Sequence, residues 1–151
     1  MPSYTAVMFR EEDGRYLGKI PVMPEISSTQ YTRDSVLKEL KQLLQKELLR
    51  LTNEGLPIPV ENWVPARTIW VINPRRGDSV PYLISVEKED SGSYVAVPTA
   101  FPNLIIKGDT VEAALRDMKF EIHQKLELAA AKGEYFPTQD EHDAYIIKVS
   151  I

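Results

Sequence analysis

The chain has 151 residues, of which 43% are hydrophobic and 26% are charged, and its 22 acidic and 18 basic residues give a net charge of -4. This composition predicts a soluble globular protein and excludes a disordered chain. Without cysteine, disulfide frameworks and thiolate metal sites are excluded, and the negative charge opposes non-specific nucleic-acid binding. The sequence shows no secretion leader and no apolar run that would span a membrane, so we expect a cytoplasmic protein.

The sequence repeats itself with an offset of 78 residues, because Tyr4–Pro59 aligns with Tyr82–Pro137 without a gap. Eleven of the 56 aligned pairs are identical, whereas unrelated sequences would give roughly three. The identical pairs are Tyr4/Tyr82, Glu11/Glu89, Gly14/Gly92, Tyr16/Tyr94, Pro24/Pro102, Thr32/Thr110, Leu37/Leu115, Lys41/Lys119, Leu48/Leu126, Gly55/Gly133 and Pro59/Pro137. A period of this length predicts two fused copies of one small domain, not a solenoid.

Each copy begins with a predicted β-hairpin whose turn is acidic and ends in glycine. The turns are Glu11–Gly14 and Glu89–Gly92, and the glycine stands where a hairpin loop needs a positive φ. A connection marked by Pro24 or Pro102 follows, and proline keeps it out of a central strand. One short third strand comes next in each copy.

A long amphipathic helix follows the three strands in each copy. A threonine cap, Thr32 or Thr110, precedes it, and Gly55 or Gly133 ends it. The apolar stripe predicted to face the core is Leu37, Leu40, Leu44, Leu48 and Leu51 in the first copy, and Leu115, Met118, Ile122, Leu126 and Ala129 in the second. At about 22 residues, each helix is long enough to cross a small sheet.

A fourth strand completes each predicted unit, over 67–72 and 145–149. A strand that follows a crossover helix in one sheet normally lies parallel to its neighbour. We therefore expect an α+β fold of two tandem βββαβ units, each with its helix packed on one face of a small mixed sheet. The turn-forming residues near 73–78 mark the boundary, so that unit 1 spans 1–73, a linker 74–81 and unit 2 82–151.

Three of these motifs together resemble the HicB-type antitoxins. They are the hairpin with its acidic turn, the box Gly108-Asp109-Thr110 that opens the second helix, and the exit Gly55-Leu56-Pro57-Ile58-Pro59 after the first helix. The first copy has Gln30-Tyr31-Thr32 in place of the box, and the second copy has the altered exit Gly133-Glu134-Tyr135-Phe136-Pro137. The resemblance covers nearly the whole chain twice and implies a partial ribonuclease-H-like fold.

The resemblance also implies a function. HicB-type proteins commonly neutralise a HicA-type toxin, a small mRNA-cleaving ribonuclease, and many carry a C-terminal DNA-binding module. In this chain a second HicB-like unit stands in the place of that module, so we expect no direct DNA binding. Single-unit relatives assemble as dimers or higher oligomers, and the fused copies predict an intrachain pseudo-dimer, with homo-oligomers as a further option.

We expect no catalytic, metal or cofactor site. A ribonuclease-H-like nuclease needs several carboxylates that converge on divalent cations, and the sequence offers only Glu87, near the end of a strand, and Glu121, beside the apolar stripe. The histidines, His123 and His142, have no second histidine or cysteine at ligand spacing. Arg75 and Arg76 are interpreted as a solvated linker pair, with phosphate contact as the alternative.

Two features are candidates for a partner-binding surface. Trp70 aligns with Lys148, and strand alternation points it away from the core face, where an aromatic side chain is a favoured interface anchor. The alternative is that Trp70 packs against the other unit or under the segment that contains Trp63. The acidic turn residues are the second candidate surface, because they complement a basic partner, with ordinary solvated turns as the alternative. They are Glu11, Glu12, Asp13, Glu89 and Asp90.

The leading hypothesis is a non-catalytic antitoxin-like protein that neutralises a small, basic HicA-type toxin by occlusion. The alternative is an orphan tandem module that mediates assembly and has no toxin partner. A degenerate ribonuclease-H-like nuclease is the third option.

Overall fold

The computed structural model describes residues 2–100, 102–134 and 144–148. Eight strands and two helices lie in this part of the chain. In chain order they are β1 (Ser3–Arg10), β2 (Tyr16–Ile20), β3 (Met23–Gln30), α1 (Arg33–Asn53), β4 (Ala66–Ile72), β5 (Ser79–Lys88), β6 (Tyr94–Pro98), β7 (Ile106–Gly108), α2 (Val111–Lys132) and β8 (Ala144–Lys148).

The elements form two four-stranded antiparallel sheets, each with one helix packed on it, so the protein is α+β. The first sheet has the strand order β3-β2-β1-β8, and the second has the order β4-β5-β6-β7. The contacts divide the chain into one unit of Met1–Pro65 with His142–Ile151 and a second unit of Ala66–Glu141. In this division residues 66–81 belong to the second unit and residues 142–151 to the first, whereas the sequence repeat predicts units over 1–73 and 82–151 with a linker at 74–81.

The fourth strands are exchanged between the two sequence copies. β4, from the first copy, pairs with β5 and places Ile69 opposite Tyr82. β8, from the second copy, pairs with β1 and places Ile147 opposite Tyr4. Since both residues of the second pair are related to those of the first by the 78-residue offset, the exchange is reciprocal and in the same register.

Both exchanged strands run antiparallel to their neighbours, so the predicted mixed sheet with a parallel fourth strand is wrong. The turn after β4 explains the difference: the Asn73 N–H donates to the Asp78 carbonyl at 2.8 Å, and the Gly77 N–H donates to the Asn73 carbonyl at 2.7 Å. Gly77 has φ +77°, which glycine adopts without steric cost. Closing the short hairpin between β4 and β5 loses less conformational entropy than closing the longer connection from β4 back to β1. β4 therefore pairs with the strand that follows it.

The helices and eight of their ten predicted core-stripe residues agree with the sequence prediction. Thr32 and Thr110 are the N-caps, and each hydroxyl accepts a hydrogen bond from a first-turn backbone N–H. Gly55 and Gly133 both have φ +69°, which the left-handed exit turns require. The buried stripe residues are Leu40, Leu44, Leu48 and Leu51 on α1 and Met118, Ile122, Leu126 and Ala129 on α2.

Two predicted stripe residues are shifted by one position, because Leu37 is only partly buried and Val36 is fully buried in its place. The second copy repeats this shift with Ala114. In the first unit, the stripe of α1 packs on one face of the sheet, against Tyr4, Ala6, Met8, Ile20, Met23, Ile26 and Ile147. Neither of the two helices in the described ranges is long and apolar enough to cross a membrane.

Candidate partner-binding surface

The acidic turn of the first unit is part of a tight five-residue loop between β1 and β2. The Glu11 N–H donates to the Arg15 carbonyl at 2.9 Å, and the Gly14 N–H donates to the Glu11 carbonyl at 3.1 Å. Asp13 accepts hydrogen bonds from the Arg15 backbone N–H at 3.0 Å and from its Nε at 2.7 Å. The backbone hydrogen bond and the guanidinium of Arg15 hold the pKa of the Asp13 carboxyl below its usual value. Asp13 therefore has a local role in the turn.

The second unit repeats this loop between β5 and β6. The Glu89 N–H donates to the Ser93 carbonyl at 2.8 Å, and the Gly92 N–H donates to the Glu89 carbonyl at 2.9 Å. The glycines of the two turns have φ +88° and +92°. The Glu89 carboxylate forms an ion pair of 3.1 Å with Lys107, so one acid of this turn is compensated.

After these local pairs, each turn retains an exposed carboxylate at its tip. Glu12 and Asp90 are both exposed, and neither takes part in an ion pair or a side-chain hydrogen bond with any described residue. Glu11 is half-buried. Of the five predicted acids, Glu12 and Asp90 are therefore the charges most accessible to a partner.

Trp70 lies on β4, an edge strand of the second sheet. Its side chain is 56% exposed, whereas the next residue, Val71, is 1% exposed. Ile72, which sequence reasoning missed, lies on the same face as Trp70 and is also 56% exposed. Strand alternation contained this signal, since residues two apart share a face. The two side chains form an apolar patch at the sheet edge.

The structure does not bring Trp70 and the acidic turn of its own unit together. Trp70 is opposite Pro81 at one end of β5, and Glu89 follows the other end of that strand. The eight residue-to-residue steps from Pro81 to Glu89 span about 27 Å at the rise of an extended strand. Trp70 and this turn therefore lie at opposite ends of β5.

The catalytic alternatives are also separated. The Cβ of an alanine at Gly108 would meet the α2 backbone, so Gly108 faces the helix, and the pairings Gly108–Tyr94 and Ala96–Val86 place Val86 on the same face. Glu87 follows Val86 and therefore lies on the opposite face of the sheet from α2, which carries Glu121.

The structure describes one of the two histidines. His123 lies on α2 and pairs with Glu127 at 3.0 Å, whereas His142 lies outside the described residues. Within the described ranges, no group of three or more His, Asp or Glu residues has the arrangement of a metal site.

A polar cluster that sequence reasoning missed fastens the exit of α1 to β1. The Tyr4 hydroxyl donates to the Pro59 carbonyl at 2.8 Å, and the Glu61 carboxylate accepts from the Thr5 backbone N–H and hydroxyl. Burial and the negative charge of Glu61 raise the pKa of Tyr4. The identical pair Tyr4/Tyr82 was the available signal. Pro137, the counterpart of Pro59, lies outside the described residues, together with the other residues of the altered exit after Glu134. Val149, at the end of the predicted fourth strand, also lies outside them.

Arg75 also has a structural role that differs from the predicted solvated linker pair. Its guanidinium donates to the Ala129 carbonyl at 3.0 Å and to the Glu134 carbonyl at 2.8 Å, at the C-terminus of α2. Arg76 pairs with Asp78 at 3.2 Å, with both side chains exposed.

Comparisons of the chain with protein-family models, with curated proteins and with solved structures give no match.

Proposed function

We propose that this protein is a non-catalytic, antitoxin-like binding module of two HicB-like units that neutralises a small, basic HicA-type ribonuclease by covering its active surface. The observation that carries the proposal is the duplicated acidic turn. Both units hold the same loop with the same hydrogen bonds, and each loop presents one exposed carboxylate without a local partner, Glu12 or Asp90.

The charge of these turns suits a basic, RNA-binding partner. Complementary charges accelerate encounter and align the partner before the close contacts form. Occlusion requires contact and exclusion of the RNA but no reacting group on this chain, which is consistent with the separation of Glu87 and Glu121. A steric inhibitor of this kind gives protection in proportion to its occupancy of the toxin.

The test is co-expression of this chain with the protein encoded next to it, which the proposal predicts to be small and basic. We expect a complex in size-exclusion chromatography and rescue of growth when the neighbour is toxic. Charge reversal in the variant Glu12→Lys with Asp90→Lys is expected to slow complex formation at low salt and to weaken rescue.

The matched control is Glu25→Lys with Glu134→Lys, because it makes the same charge change at two exposed acids outside the turns. Equal binding by both double variants, or separate elution without toxicity, would remove the antitoxin proposal.

The alternative function, a module that mediates assembly without a toxin, is favoured by a different observation. Trp70 and Ile72 are large apolar side chains that remain more than half exposed on an edge strand, and exposed apolar patches commonly mark protein contacts. Self-association without a neighbouring toxin would support this alternative.

A further inference from the structure

The four edges of the two sheets differ in how they are protected. Isolated edge strands present unpaired backbone groups, and proteins block them with proline, charge, bulges or shortness. β3 contains Pro24 and the exposed Glu25 and is paired through a register shift, β7 has three residues and includes Lys107, and β8 carries the exposed Lys148.

β4 is protected neither by proline nor by a bulge nor by shortness. It has seven residues in unbroken register with β5, and its sequence contains no proline, glycine, lysine or acid. Its one charge, Arg67, is two residues from Ile69 and therefore shares the helix-facing side of the strand. β4 is the edge that is best suited to receive another strand.

The hydrogen-bond pattern shows which backbone groups of β4 face outward. The bond from the Asn73 N–H to the Asp78 carbonyl marks a hydrogen-bonded pair, and such pairs recur at every second residue of an antiparallel ladder. The backbone groups of Val71 and Ile69 therefore point to β5, and those of Thr68, Trp70 and Ile72 point to the free edge. No hydrogen bond from another described residue reaches this edge.

These same three residues also present their side chains away from the helix. Thr68 is exposed, and Trp70 and Ile72 are each 56% exposed. An incoming strand therefore gains ladder hydrogen bonds and cross-strand side-chain contacts from one set of residues.

We propose that β4 of one chain pairs antiparallel with β4 of a second copy, across a two-fold axis at Trp70. In this register Trp70 pairs with its own counterpart, and Thr68 and Ile72 of each copy pair with Ile72 and Thr68 of the other. Each of the three pairs exchanges two backbone hydrogen bonds, which joins the two second-unit sheets into one continuous sheet.

The charges of β4 favour a second copy as the occupant. In the two-fold register, Arg67 of one copy is opposite Asn73 of the other, so no like charges meet in the ladder. Trp70 next to Trp70, and Ile72 next to Thr68, are aromatic and β-branched neighbours of the kind that stabilise cross-strand contacts. The self-complementary strand therefore has both the backbone groups and the side chains that this edge requires.

The test is to measure the mass of the full chain by sedimentation equilibrium in the analytical ultracentrifuge, from micromolar to millimolar concentration. We expect the weight-average mass to rise from the 17.2 kDa of one chain towards twice that value. Thr68→Pro removes an outward N–H that β5 does not use, and Trp70→Lys places a charge on the axis, so both are expected to abolish the rise. The matched control is Leu128→Lys, which changes an exposed apolar residue on α2. We expect this variant to show the same rise in mass as the parent protein.

Crosslinking tests the register itself. Because the chain has no cysteine, Trp70→Cys introduces a single thiol, and the two-fold places its Cα about 5.5 Å from its counterpart, within the range of a disulfide. We expect oxidation to give a covalent dimer, whereas the exposed control Ile105→Cys gives none. A monomer at every concentration, or a dimer that persists in both Thr68→Pro and Trp70→Lys, overturns the proposal. Toxin binding is measured with the variant Glu12→Lys with Asp90→Lys, which does not change β4. Failure of the toxin-binding proposal is therefore distinguishable from failure of the β4 dimer.

Discussion

The two units of this protein contain the same four strands and one helix, but the chain builds them differently. The second unit is continuous: β4, β5, β6 and β7 follow one another in both sequence and space, and α2 comes after them. The first unit takes β1, β2, β3 and α1 from one end of the chain and β8 from the other. The sheet neighbours and their register are the same, so the first unit is a circular permutation of the second. One architecture is therefore compatible with two chain connections.

The largest expected effect comes from separating the units. The fragment 66–141 contains all four strands and the helix of the second unit, so we expect a cooperative thermal transition by circular dichroism. The fragment 1–65 lacks β8, which leaves β1 at an unpaired edge and removes the buried Ile147. We expect it to have no cooperative transition as a monomer, because a unit of this size has little stability to spare. Equal folding of both fragments would contradict the difference between the units.

The next effect concerns the start of each helix. A Cβ at Gly108 would lie 2.6 Å from the backbone N of Ala114, so Gly108→Ala is expected to lower the free energy of unfolding by about 2–3 kcal/mol through overpacking. Its counterpart by the offset is Gln30, whose side chain donates to Glu39 on α1 at 2.7 Å.

Gln30→Ala is therefore the matched control, with an expected cost of about 1 kcal/mol or less. Urea unfolding monitored by circular dichroism measures both variants. A Gly108→Ala variant as stable as the parent would show that Gly108 does not pack closely against the Ala114 backbone.

A third difference between the units is the pair of residues that meet where β2 packs on α1. A Cβ at Gly18 would overlap Val36 Cγ1 and lie 2.9 Å from Leu40 Cδ1, whereas the second unit has Ala96 and Ala114 at the positions of Gly18 and Val36. We expect Gly18→Ala to cost about 1–2 kcal/mol. Val36→Ala also costs stability, but it removes the obstructing methyl groups.

A double-mutant cycle of Gly18→Ala and Val36→Ala measures this compensation. The second substitution is expected to cancel most of the cost of the first, so that the first unit acquires the residue pair of the second. Strictly additive costs would exclude direct compensation between the two positions.

The contact between the α1 exit and β1 predicts a smaller, pH-dependent effect. Tyr4→Phe removes the hydrogen bond to the Pro59 carbonyl and is expected to cost about 1 kcal/mol at neutral pH. Because burial raises the folded-state pKa of Tyr4, this tyrosine stabilises the fold below the unfolded-state pKa of about 10. That contribution is lost as the pH rises through the folded-state pKa.

The free energy of unfolding of the parent protein is therefore expected to fall more steeply above pH 10 than that of Tyr4→Phe. Tyr16→Phe is the control, because the Tyr16 ring lies under the Arg33 guanidinium, 4.5 Å from it, and this contact does not need the hydroxyl. Identical alkaline profiles for the parent and Tyr4→Phe would remove the assigned role of Tyr4.

The smallest effect is expected at the C-terminus of α2. Arg75→Ala removes the guanidinium from the Ala129 and Glu134 carbonyls, and a cation at this end of a helix contributes about 0.5–1 kcal/mol. Arg76→Ala removes only an exposed ion pair with Asp78 and is expected to have almost no effect. Thermal unfolding of the two variants measures the difference, and a larger loss in Arg76→Ala would reverse the assignment.

Local chemistry in the sequence was sufficient for the repeat, the helices, their threonine caps and glycine ends, and the glycine turns. Each depends on residues within a few positions of one another, such as Thr32 with Ser35 or Glu89 with Ser93. The orientation of Trp70 also followed from the period of two in a strand. These features are fixed by short-range sterics and hydrogen bonds, which a sequence displays directly.

Only the tertiary structure decided which strands are neighbours. The fourth strands have the same pattern in both copies, and a local pattern does not distinguish pairing within a copy from exchange between copies. The turn at 73–78 resolves this for β4 because it closes a short antiparallel hairpin, and the free edge of β1 then receives β8. The contact of Arg75 with α2 and that of Tyr4 with Pro59 join residues 54 and 55 positions apart. Such contacts depend on which surfaces meet after folding, and this is the reason that they could not be predicted from local patterns.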